Sequence, residues 1–321
     1  VDSIRMVINR MGLTSHLIIH MGGIRLKRDK NNKICELLPR NQAATGANVI
    51  NEAPIFMEID RQTDPVILAE LQQRLEKVLN DNRVVFDDWE KMRAKVREAT
   101  SRLDVDASAL DAEELEETKA FLNWIEDHHF TFLGVRDYEL VRKGKETILQ
   151  AIPETGLGIL RDNLNKSHVV KVSEMTSEAR ESILSPHMLV TRKTNKRATV
   201  HRDAYTDYIG IKRFDKNGQV IGERRIIGLY TSAAYHTNPR HIPFLRHKVA
   251  QIMENSNLNP KSHAGKVLLN ILETLPRDDL IQGSEDELLE ISMGIFYMQE
   301  RKRIRLFARM DVHKRFVSCL V

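Results

Sequence analysis

The chain has 321 residues, of which 41% are hydrophobic and 29% charged, and its formal net charge is +4. These values are typical of a globular protein with two or three domains. No stretch approaches the roughly 18 consecutive apolar residues that cross a bilayer, and the N-terminus, VDSIRMVINRMG, lacks the pattern of a secretion signal. We therefore expect a cytoplasmic protein that contacts no membrane.

The charge is too evenly balanced to predict nucleic-acid binding. Lysine and arginine total 49, and aspartate and glutamate total 45. The two cysteines, Cys35 and Cys319, lie at opposite ends and show no metal-binding spacing, which argues against a disulfide framework and a zinc site. We expect both to be buried thiols.

The first hundred residues predict a helix, two strands and a long helix. Apolar residues recur at helical spacing from Ile4 to Met11, with nothing in front of them that completes a domain. Strands are expected at 13–20 and 54–60, with a polar insertion between them at about 22–53. This order is that of a βαββαβ sandwich without its first strand, so we expect the chain to be cut from a longer protein.

The long helix is expected to begin at Asp64 and Pro65, which fit the N-cap and the first helical position. A break is possible at 80–82. Residues 99–111 are small, acidic and without periodicity, which predicts a linker and a domain boundary near 100–110.

The middle of the chain predicts an antiparallel sheet. Asp111 and Glu114 fit a capping box for a helix that ends at His128 and His129. Strands are then expected at 131–141, 147–152, 188–191 and 197–201, followed by a hairpin at 201–235. Two strands, a short helical insert and a three-strand meander form the order of a PAS-type sensor sheet.

The hairpin carries the candidate site residues. Its turn ends in Asn217-Gly218, which predicts positive φ at Gly218 and fixes the register of both strands. Cationic side chains are expected to form an exposed basic strip, and exposed aromatics beside such a strip favour contact with another surface. The candidates for docking or ligand contact are Tyr205, Asp207, Tyr208, Lys212, Arg213, Arg224 and Arg225. Packing of Tyr208 in the core is the competing interpretation.

After Asn238 the pattern is helical, with apolar residues at helical spacing. Ser284 and Glu287 fit a second capping box, and the helix that they open is expected to reach the basic residues 301–303. Strands at 305–309 and 316–321 have no predicted partner in the chain. We therefore expect a further domain to begin there.

The motifs of catalysis, nucleotide binding and metal binding are weak or missing. Gly156-Leu157-Gly158 lacks the third glycine of a dinucleotide-binding loop and predicts a turn. A helix end explains His128 and His129 better than a metal site does. The acidic residues between 278 and 287 predict a charged helix N-terminus rather than a calcium loop. Cationic residues at 192–197 could hold an anionic ligand or form a solvated hairpin end.

Four segments closely resemble the large bacterial NAD-specific glutamate dehydrogenases, and the similarity covers almost the whole chain. They are FLNWIEDHHFTFLGVRDYEL (121–140), LGILRD (157–162), TVHRDAYTDYIGIKRFDKNGQVIGERRIIGLYTSAAY (199–235) and GKVLLNILETLPRDDLIQGSEDEL (265–288). The resemblance implies an α+β, multidomain fold with an ACT-like βαββαβ sandwich, a PAS-type antiparallel sheet and connecting helices. The implied ranges are 1–100 for an ACT-like domain without its first strand, 112–235 for the PAS-type domain, 240–300 for linking helices and 301–321 for the start of a second ACT-like domain.

The same resemblance implies a non-catalytic regulatory or oligomerisation segment. The family oxidises L-glutamate to 2-oxoglutarate and ammonia with NAD, in a distant catalytic domain whose substrate pocket and NAD fingerprint match no segment here. It therefore implies no catalytic, cofactor-binding or metal-binding residue in this chain, while the parent enzyme uses NAD. The implied partners are other subunits of a homo-oligomer, the downstream catalytic domain and an amino-acid effector. The alternative is a freestanding ACT/PAS module that senses a small molecule.

Overall fold

The computed structural model describes residues 1–31, 33–39, 49–106, 111–144, 146–161, 169–298, 304–310 and 317–320. The chain is a mixture of helices and antiparallel sheets, as expected. It forms two compact units, one of residues 1–82 with 199–203 and the other of residues 83–198 with 204–321.

The first unit contains the predicted helix, strands and long helix. Its elements are α1 (Asp2–Arg10), β1 (Ser15–His20), β2 (Ile24–Arg28), β3 (Ile34–Leu38), β4 (Val49–Glu52), β5 (Ile55–Ile59) and the start of α2 (Pro65–Asp106). The strands β1 and β5 pair antiparallel, as the βαββαβ interpretation requires of its second and third strands.

The insertion between β1 and β5 is a second sheet, not the polar loop that the sequence predicts. Its three strands lie in the order β3-β2-β4 and are antiparallel. Leu26 in the central strand is fully buried, and Arg28 pairs with Glu52 across β2 and β4 at 2.7 Å. A few apolar residues in alternation were therefore enough to form strands within a segment that is polar overall.

The helix α2 begins where the sequence predicts and is longer than expected. The Asp64 carboxylate accepts a hydrogen bond from Val66 N at 2.8 Å, which confirms the N-cap. No break occurs at 80–82, and the Asn82 side chain instead donates to Val78 O at 3.1 Å. The predicted linker is wrong for residues 99–106, which are helical because Ala99 and Leu103 are buried against the sheet of the second unit. The rest of that linker, 107–110, lies outside the described residues.

The second unit is built on a seven-stranded antiparallel sheet. Its elements up to the hairpin are α3 (Ala112–Trp124), β6 (Phe130–Lys143), β7 (Glu146–Ala151), β8 (Leu157–Gly158), β9 (Val169–Lys171), α4 (Ser177–Leu184), β10 (Leu189–Arg197), β11 (Tyr205–Phe214) and β12 (Val220–Tyr230). The strands lie in the order β10-β11-β12-β6-β7-β9, and β8 pairs with β6. Two strands, a helical insert and a three-strand meander are thus confirmed, and Gly218 in the hairpin turn has φ +75°.

The predicted strand at 197–201 is wrong. The strand β10 ends at Arg197, and residues 199–203 belong to the first unit. There His201 N donates to Ser3 Oγ at 3.0 Å, and Arg10 pairs with Asp203 at 2.6 Å. These contacts hold the segment against α1 of the first unit.

One face of the seven-stranded sheet packs on α2 and α3. The buried residues of this core include Met92, Val96, Leu103, Phe121, Leu122, Phe132, Ile209, Ile211 and Ile226. The Asp111 carboxylate caps α3 by accepting from Glu113 N at 2.9 Å, while the Glu114 carboxylate accepts from Met188 N at 2.8 Å. The capping-box start of α3 is therefore right in position, although Glu114 bonds to another segment.

The chain continues as helices that form their own core. They are α5 (Ser232–His236), α6 (Leu245–Asn255), α7 (His263–Thr274), α8 (Arg277–Gln282) and α9 (Glu285–Met298), and two strands follow, β13 (Phe307–Met310) and β14 (Val317–Leu320). Ser284 N donates to Glu287 and Glu287 N donates to Ser284 Oγ, which confirms the capping box. The last two strands pair with each other, so the prediction that they have no partner is wrong. The predicted basic helix end at 301–303 lies outside the described residues.

In the Gly156-Leu157-Gly158 segment, Leu157 and Gly158 form the short strand β8 against β6, and a turn follows in which Leu160 N donates to Leu157 O at 3.2 Å. Gly158 has φ +60°, and a Cβ atom there would lie 2.2 Å from Leu133 O. Gly158 N donates to Asp88 at 2.9 Å, and Asp88 also pairs with Arg161 at 2.5 Å. The guanidinium of Arg161 holds the pKa of the Asp88 carboxyl at about 2. The turn thus lies one step further along the chain than predicted, and Gly158 is required by a close backbone approach.

We expect Gly158→Ala to destabilise the second unit far more than Gly144→Ala. Both glycines have positive φ, but a Cβ at Gly144 would meet nothing within 4 Å. The Gly144 variant should lose about 1 kcal/mol of unfolding free energy from strain alone, and the Gly158 variant about 3 kcal/mol or more. Chemical denaturation of the two variants measures the difference, and equal losses would contradict the close approach.

Candidate functional site

The first cluster of functional interest, which we call the hairpin cluster, consists of Tyr208, Lys212, Glu223 and Arg225. Lys212 lies directly opposite Glu223 in the register of β11 and β12. The Glu223 carboxylate accepts from Tyr208 Oη at 2.8 Å, from Lys212 Nζ at 3.0 Å and from Arg225 Nη2 at 2.6 Å. One buried carboxylate therefore holds two cations and a phenol on the same face of the sheet.

Neighbouring elements close this face. A Cβ at Gly210 would lie 2.6 Å from Tyr208 Oη, so the Tyr208 side chain lies over the glycine. The guanidinium of Arg192 sits 4.4 Å from the centroid of the Tyr208 ring. Lys212 Nζ also donates to Ile183 O in α4 at 3.1 Å, which ties the helical insert to the sheet.

Burial and charge act in opposite directions on the hairpin cluster. Burial alone would raise the pKa of Glu223, but the charges of Arg225 and Lys212 hold that pKa at about 2. Burial lowers the pKa of Lys212 and raises the pKa of Tyr208. Since the charged groups satisfy one another, the cluster is a closed polar core rather than a reactive centre.

A second cluster, which we call the lysine bridge, lies on the opposite face of the sheet. Lys193 Nζ is 2.7 Å from the Asp207 carboxylate and 3.0 Å from the Asp278 carboxylate. Asp207 also accepts from Tyr230 N at 3.3 Å, and Tyr235 Oη donates to Asp278 at 3.0 Å. The lysine bridge joins β10 and β11 to α8 in the helical part of the same unit.

The two carboxylates share one ammonium group. Burial raises the pKa of Asp207 to about 6, although the charge of Lys193 opposes that shift. Burial would lower the pKa of Lys193, but the two carboxylates raise it above its ordinary value. At neutral pH Lys193 is therefore charged and Asp207 is ionised. Asp207 takes up a proton as the pH falls towards 6.

Arg224 makes a third buried contact on the face that packs against α2. Its guanidinium donates to both oxygens of Asp137, at 2.6 and 2.7 Å, and to Lys95 O at 2.7 Å. The bidentate pair joins β12 to β6, and the bond to Lys95 O ties α2 to both strands.

The structure changes the interpretation of the hairpin residues. Asp207, Tyr208, Lys212 and Arg224 are buried, so the expected exposed basic strip is wrong for Lys212 and Arg224, and core packing is right for Tyr208. The physical reason is that each of these cations meets a carboxylate. The remaining candidates, Tyr205, Arg213 and Arg225, are partly or largely accessible. The role of the seven in docking or ligand contact stays a prediction.

The role of Glu223 was not predicted from the sequence. It is the one acidic residue in β12, between the glycine and the arginines of VIGERRIIGLY. A lone carboxylate in a basic and apolar strand was the available signal for a buried ion pair.

A cleft of about 480 Å³ lies between α3, β10, α6 and α8, and we call it the acidic cleft. Its apolar and aromatic wall is formed by Phe121, Trp124, Leu189, Ile242, Phe244 and Ile281. Its carboxylates are Asp111, Glu113, Glu114, Glu117 and Glu285. A cleft of this size, with an apolar wall and a few polar groups, has the properties of a small-molecule site.

The positive groups beside the acidic cleft are held by the protein itself. Lys248 Nζ donates to Leu280 O at 3.1 Å and to Gly283 O at 2.8 Å, and burial lowers its pKa to about 8. Arg246 pairs with Glu117, which also accepts from Phe244 N at 2.8 Å. These bonds lower the pKa of Glu117 against the effect of its burial.

The remaining motif residues have structural explanations. His128 has φ +60°, and His129 Nδ1 lies 2.9 Å from Trp124 O with its ring stacked on the indole, which confirms the helix end. Within the described ranges, no group of three or more His, Cys, Asp or Glu residues could hold a metal ion. Cys35 and Cys319 are exposed, so the prediction that they are buried is wrong. No helix in the described part of the chain is long and apolar enough to cross a membrane.

Comparison with known proteins gives two family matches and several relatives. Residues 1–75 match the ACT1 domain of glutamate dehydrogenase, and residues 242–301 match its helical motif 1. The chain is 35% identical to an NAD-specific glutamate dehydrogenase of Halomonas elongata and 36% identical to one of Pseudomonas aeruginosa, in each case over its whole length and 20% of the relative. It is 24% identical to the protein of that name from Mycobacterium tuberculosis, over 18% of the relative.

The chain matches an N-terminal region of the large NAD-specific glutamate dehydrogenases. It spans about one fifth of the length of the curated relatives. The match to the ACT1 domain of glutamate dehydrogenase falls on the first compact unit, and helical motif 1 covers α6 to α9. The acidic cleft and the lysine bridge therefore lie where the seven-stranded sheet meets helical motif 1.

We expect Glu223→Gln to destabilise the second unit by about 3–5 kcal/mol, because it leaves the buried Lys212 and the partly buried Arg225 without their anion. The matched control is Glu146→Gln, which removes an exposed carboxylate 3.5 Å from Lys171 and should cost far less. Urea unfolding of both variants measures the losses. A small loss for Glu223→Gln would show that the hairpin cluster is not the closed core described above.

We expect Asp207 to make stability depend on pH between about 4 and 6. Its pKa is about 6 in the folded chain against 3.8 as the ordinary value, so the folded state binds the proton more tightly. The free energy of unfolding should therefore fall by about 3 kcal/mol as the pH rises through this window and should then stay level. Urea unfolding of wild type and Asp207→Asn from pH 4 to 8 isolates this contribution. The same pH slope in both proteins would contradict it.

Proposed function

We propose that this chain is a non-catalytic regulatory and assembly region of an NAD-specific glutamate dehydrogenase. The parent reaction is the oxidation of L-glutamate with NAD and water to 2-oxoglutarate, ammonia and NADH. The observation that carries the proposal is the match over the whole chain to about one fifth of three proteins of that name. Four-fifths of each relative is left for the catalytic machinery.

The geometry of the charged groups supports a regulatory role. Lys212, Glu223 and Arg225 bind one another, and Lys193 is held between two carboxylates. Catalysis of hydride transfer needs a substrate and a nicotinamide held together, and these clusters are occupied by their own side chains. They are arranged to hold elements together.

We further propose that 112–235 is a PAS-type domain. Its support is the element order and the sheet, in which the two strands β6 and β7 lie beside the meander β10-β11-β12 through the pairing of β6 with β12. The helical insert α4 covers one face, through the bond of Lys212 to Ile183 O. The ligand face of such a sheet is filled here by the hairpin cluster.

Assembly with other subunits is proposed for the ACT-like part. Leu17, Ile19 and Phe56 lie on one face of the β1–β5 sheet and are 44%, 43% and 58% exposed. Apolar side chains grouped on an open sheet face fit a protein contact. We propose contacts with other subunits of a homo-oligomer and with the downstream catalytic domain, and regulation by an amino-acid effector. A cytoplasmic setting stays a prediction.

The alternative is a freestanding ACT/PAS module that senses a small molecule. The acidic cleft is compatible with it. The similarity to enzymes over the full length of the chain favours the regulatory region.

We expect the isolated chain to form no NADH from L-glutamate and NAD, because the charged clusters that it contains are closed. The assay follows NADH absorbance. The chain is used in large excess over the amount at which a complete NAD-specific glutamate dehydrogenase gives a clear signal. Formation of NADH would overturn the non-catalytic role.

A thermal shift with amino acids then separates effector binding from pure scaffolding, since a ligand of the folded state raises Tm.

A further inference from the structure

The acidic cleft has an unusual balance of charge for a cavity with an aromatic wall. Five carboxylates line it, against one ammonium group, that of Lys248. Lys248 lies in α6 and donates to the carbonyl oxygens of Leu280, Ile281 and Gly283, so its three protons are directed away from a ligand. The lining therefore carries more carboxylates than ammonium groups.

The carboxylates differ in how far they are compensated. Glu117 is satisfied by Arg246 and by Phe244 N. Glu113 lies 3.4 Å from the His247 imidazole, and Glu114 lies 3.5 Å from the His187 imidazole and accepts a hydrogen bond from Met188 N. These two glutamates follow each other at the start of α3, at the mouth of the cleft.

The aromatic side chains of the acidic cleft favour a ligand with a cationic group and an apolar stem. Phe121, Trp124 and Phe244 line the cleft together with Leu189 and Ile281. Aromatic rings attract cations through their quadrupoles, and they bury apolar stems. An aromatic and apolar wall below a carboxylate mouth fits a molecule with a positive end and an apolar body.

We propose that the acidic cleft binds a small organic cation, with an ammonium or guanidinium group at Glu113 and Glu114 and an apolar stem against Phe121 and Phe244. The proposal rests on the regulatory function above, of which such a molecule would be an effector. Anionic molecules, including glutamate and 2-oxoglutarate, are disfavoured by the same carboxylates. The volume of about 480 Å³ admits a ligand of the size of an amino acid or a short diamine.

The walls of the cleft belong to the two elements that the lysine bridge joins. Thr191 in β10 lines it, and Lys193 of the lysine bridge lies two residues further along the same face of the strand. Ile281 lines the opposite wall and follows Asp278 in α8 by three residues. A ligand between these walls therefore acts on the two elements that the lysine bridge joins.

The test uses three five-carbon probes that differ only in their end groups: 1,5-diaminopentane, 1,5-pentanediol and glutarate. Isothermal titration of the complete 321-residue chain at low salt is expected to show saturable one-site binding for the diamine and none for the diol or glutarate at the same concentrations. Raising the salt concentration should weaken the binding of the diamine. Failure of the diamine to saturate the chain by about 10 mM would overturn the proposal.

Variants locate the binding. The double variant Glu113→Gln with Glu114→Gln keeps an oxygen that can accept from Met188 N. It should lower the affinity for the diamine by up to about fivefold for each carboxylate removed. Thr191→Trp should fill the cleft and abolish binding, with thermal unfolding used to check that it folds. Glu254→Gln with Glu290→Gln, at exposed positions of α6 and α9 outside the cleft, is the charge-matched control and should change nothing.

Unchanged affinity in both cleft variants, or glutarate binding as well as the diamine, would overturn the site. This failure is distinct from failure of the regulatory proposal. Absence of diamine binding leaves the NADH assay untouched, whereas NADH formation overturns the non-catalytic role without bearing on the acidic cleft.

Discussion

The ammonium group of Lys193 is the contact on which the arrangement of the second unit depends. It lies 2.7 Å from Asp207 in the sheet and 3.0 Å from Asp278 in α8. Removing buried charges from water is costly, so such a bridge is retained only when its geometry is well satisfied, here by Tyr230 N and Tyr235 Oη. The next residue, Asp279, turns to Arg309 at 2.9 Å and so ties the terminal strands to the same short helix. Two adjacent carboxylates thus position the sheet, helical motif 1 and the β13–β14 pair.

In the hairpin cluster, on the other face of the sheet, buried charged groups likewise satisfy one another. Glu223 binds Lys212 and Arg225 within a single hairpin, and Lys212 reaches Ile183 O in the helical insert. Replacing such a core by apolar residues is often neutral or stabilising, so its value lies in specifying one arrangement of β11, β12 and α4 rather than in net free energy. For the regulatory and assembly role that we propose, rigid internal geometry matters more than extra stability.

Local signals in the sequence predicted local structure well. The N-cap at Asp64, the turn at Gly218 and the reciprocal bonds of Ser284 and Glu287 each depend on residues within a few positions, and each was found. The pairing of Lys212 with Glu223 was missed because an irregularity between Arg213 and Phe214 shifts the register by one residue, which a count from the turn does not reveal. The bridge from Lys193 to Asp278 and the walls of the acidic cleft join segments that are far apart in sequence. No spacing rule connects them, so the candidate site could not be assembled from the sequence.

The filling of the sheet face has a consequence for sensing. If the sheet is of the PAS type that we propose, the face under the helical insert is the place for a ligand, and Tyr208, Lys212 and Arg225 occupy that face. A ligand can act on this region only where space remains, and the acidic cleft offers that space on the other face, beside Thr191. Because Lys193 follows Thr191 on the same strand face, a shift of β10 against α8 would stretch or compress the contact of Lys193 with Asp278. The contact that holds helical motif 1 to the sheet is therefore also the contact through which occupation of the cleft would be transmitted to the helices.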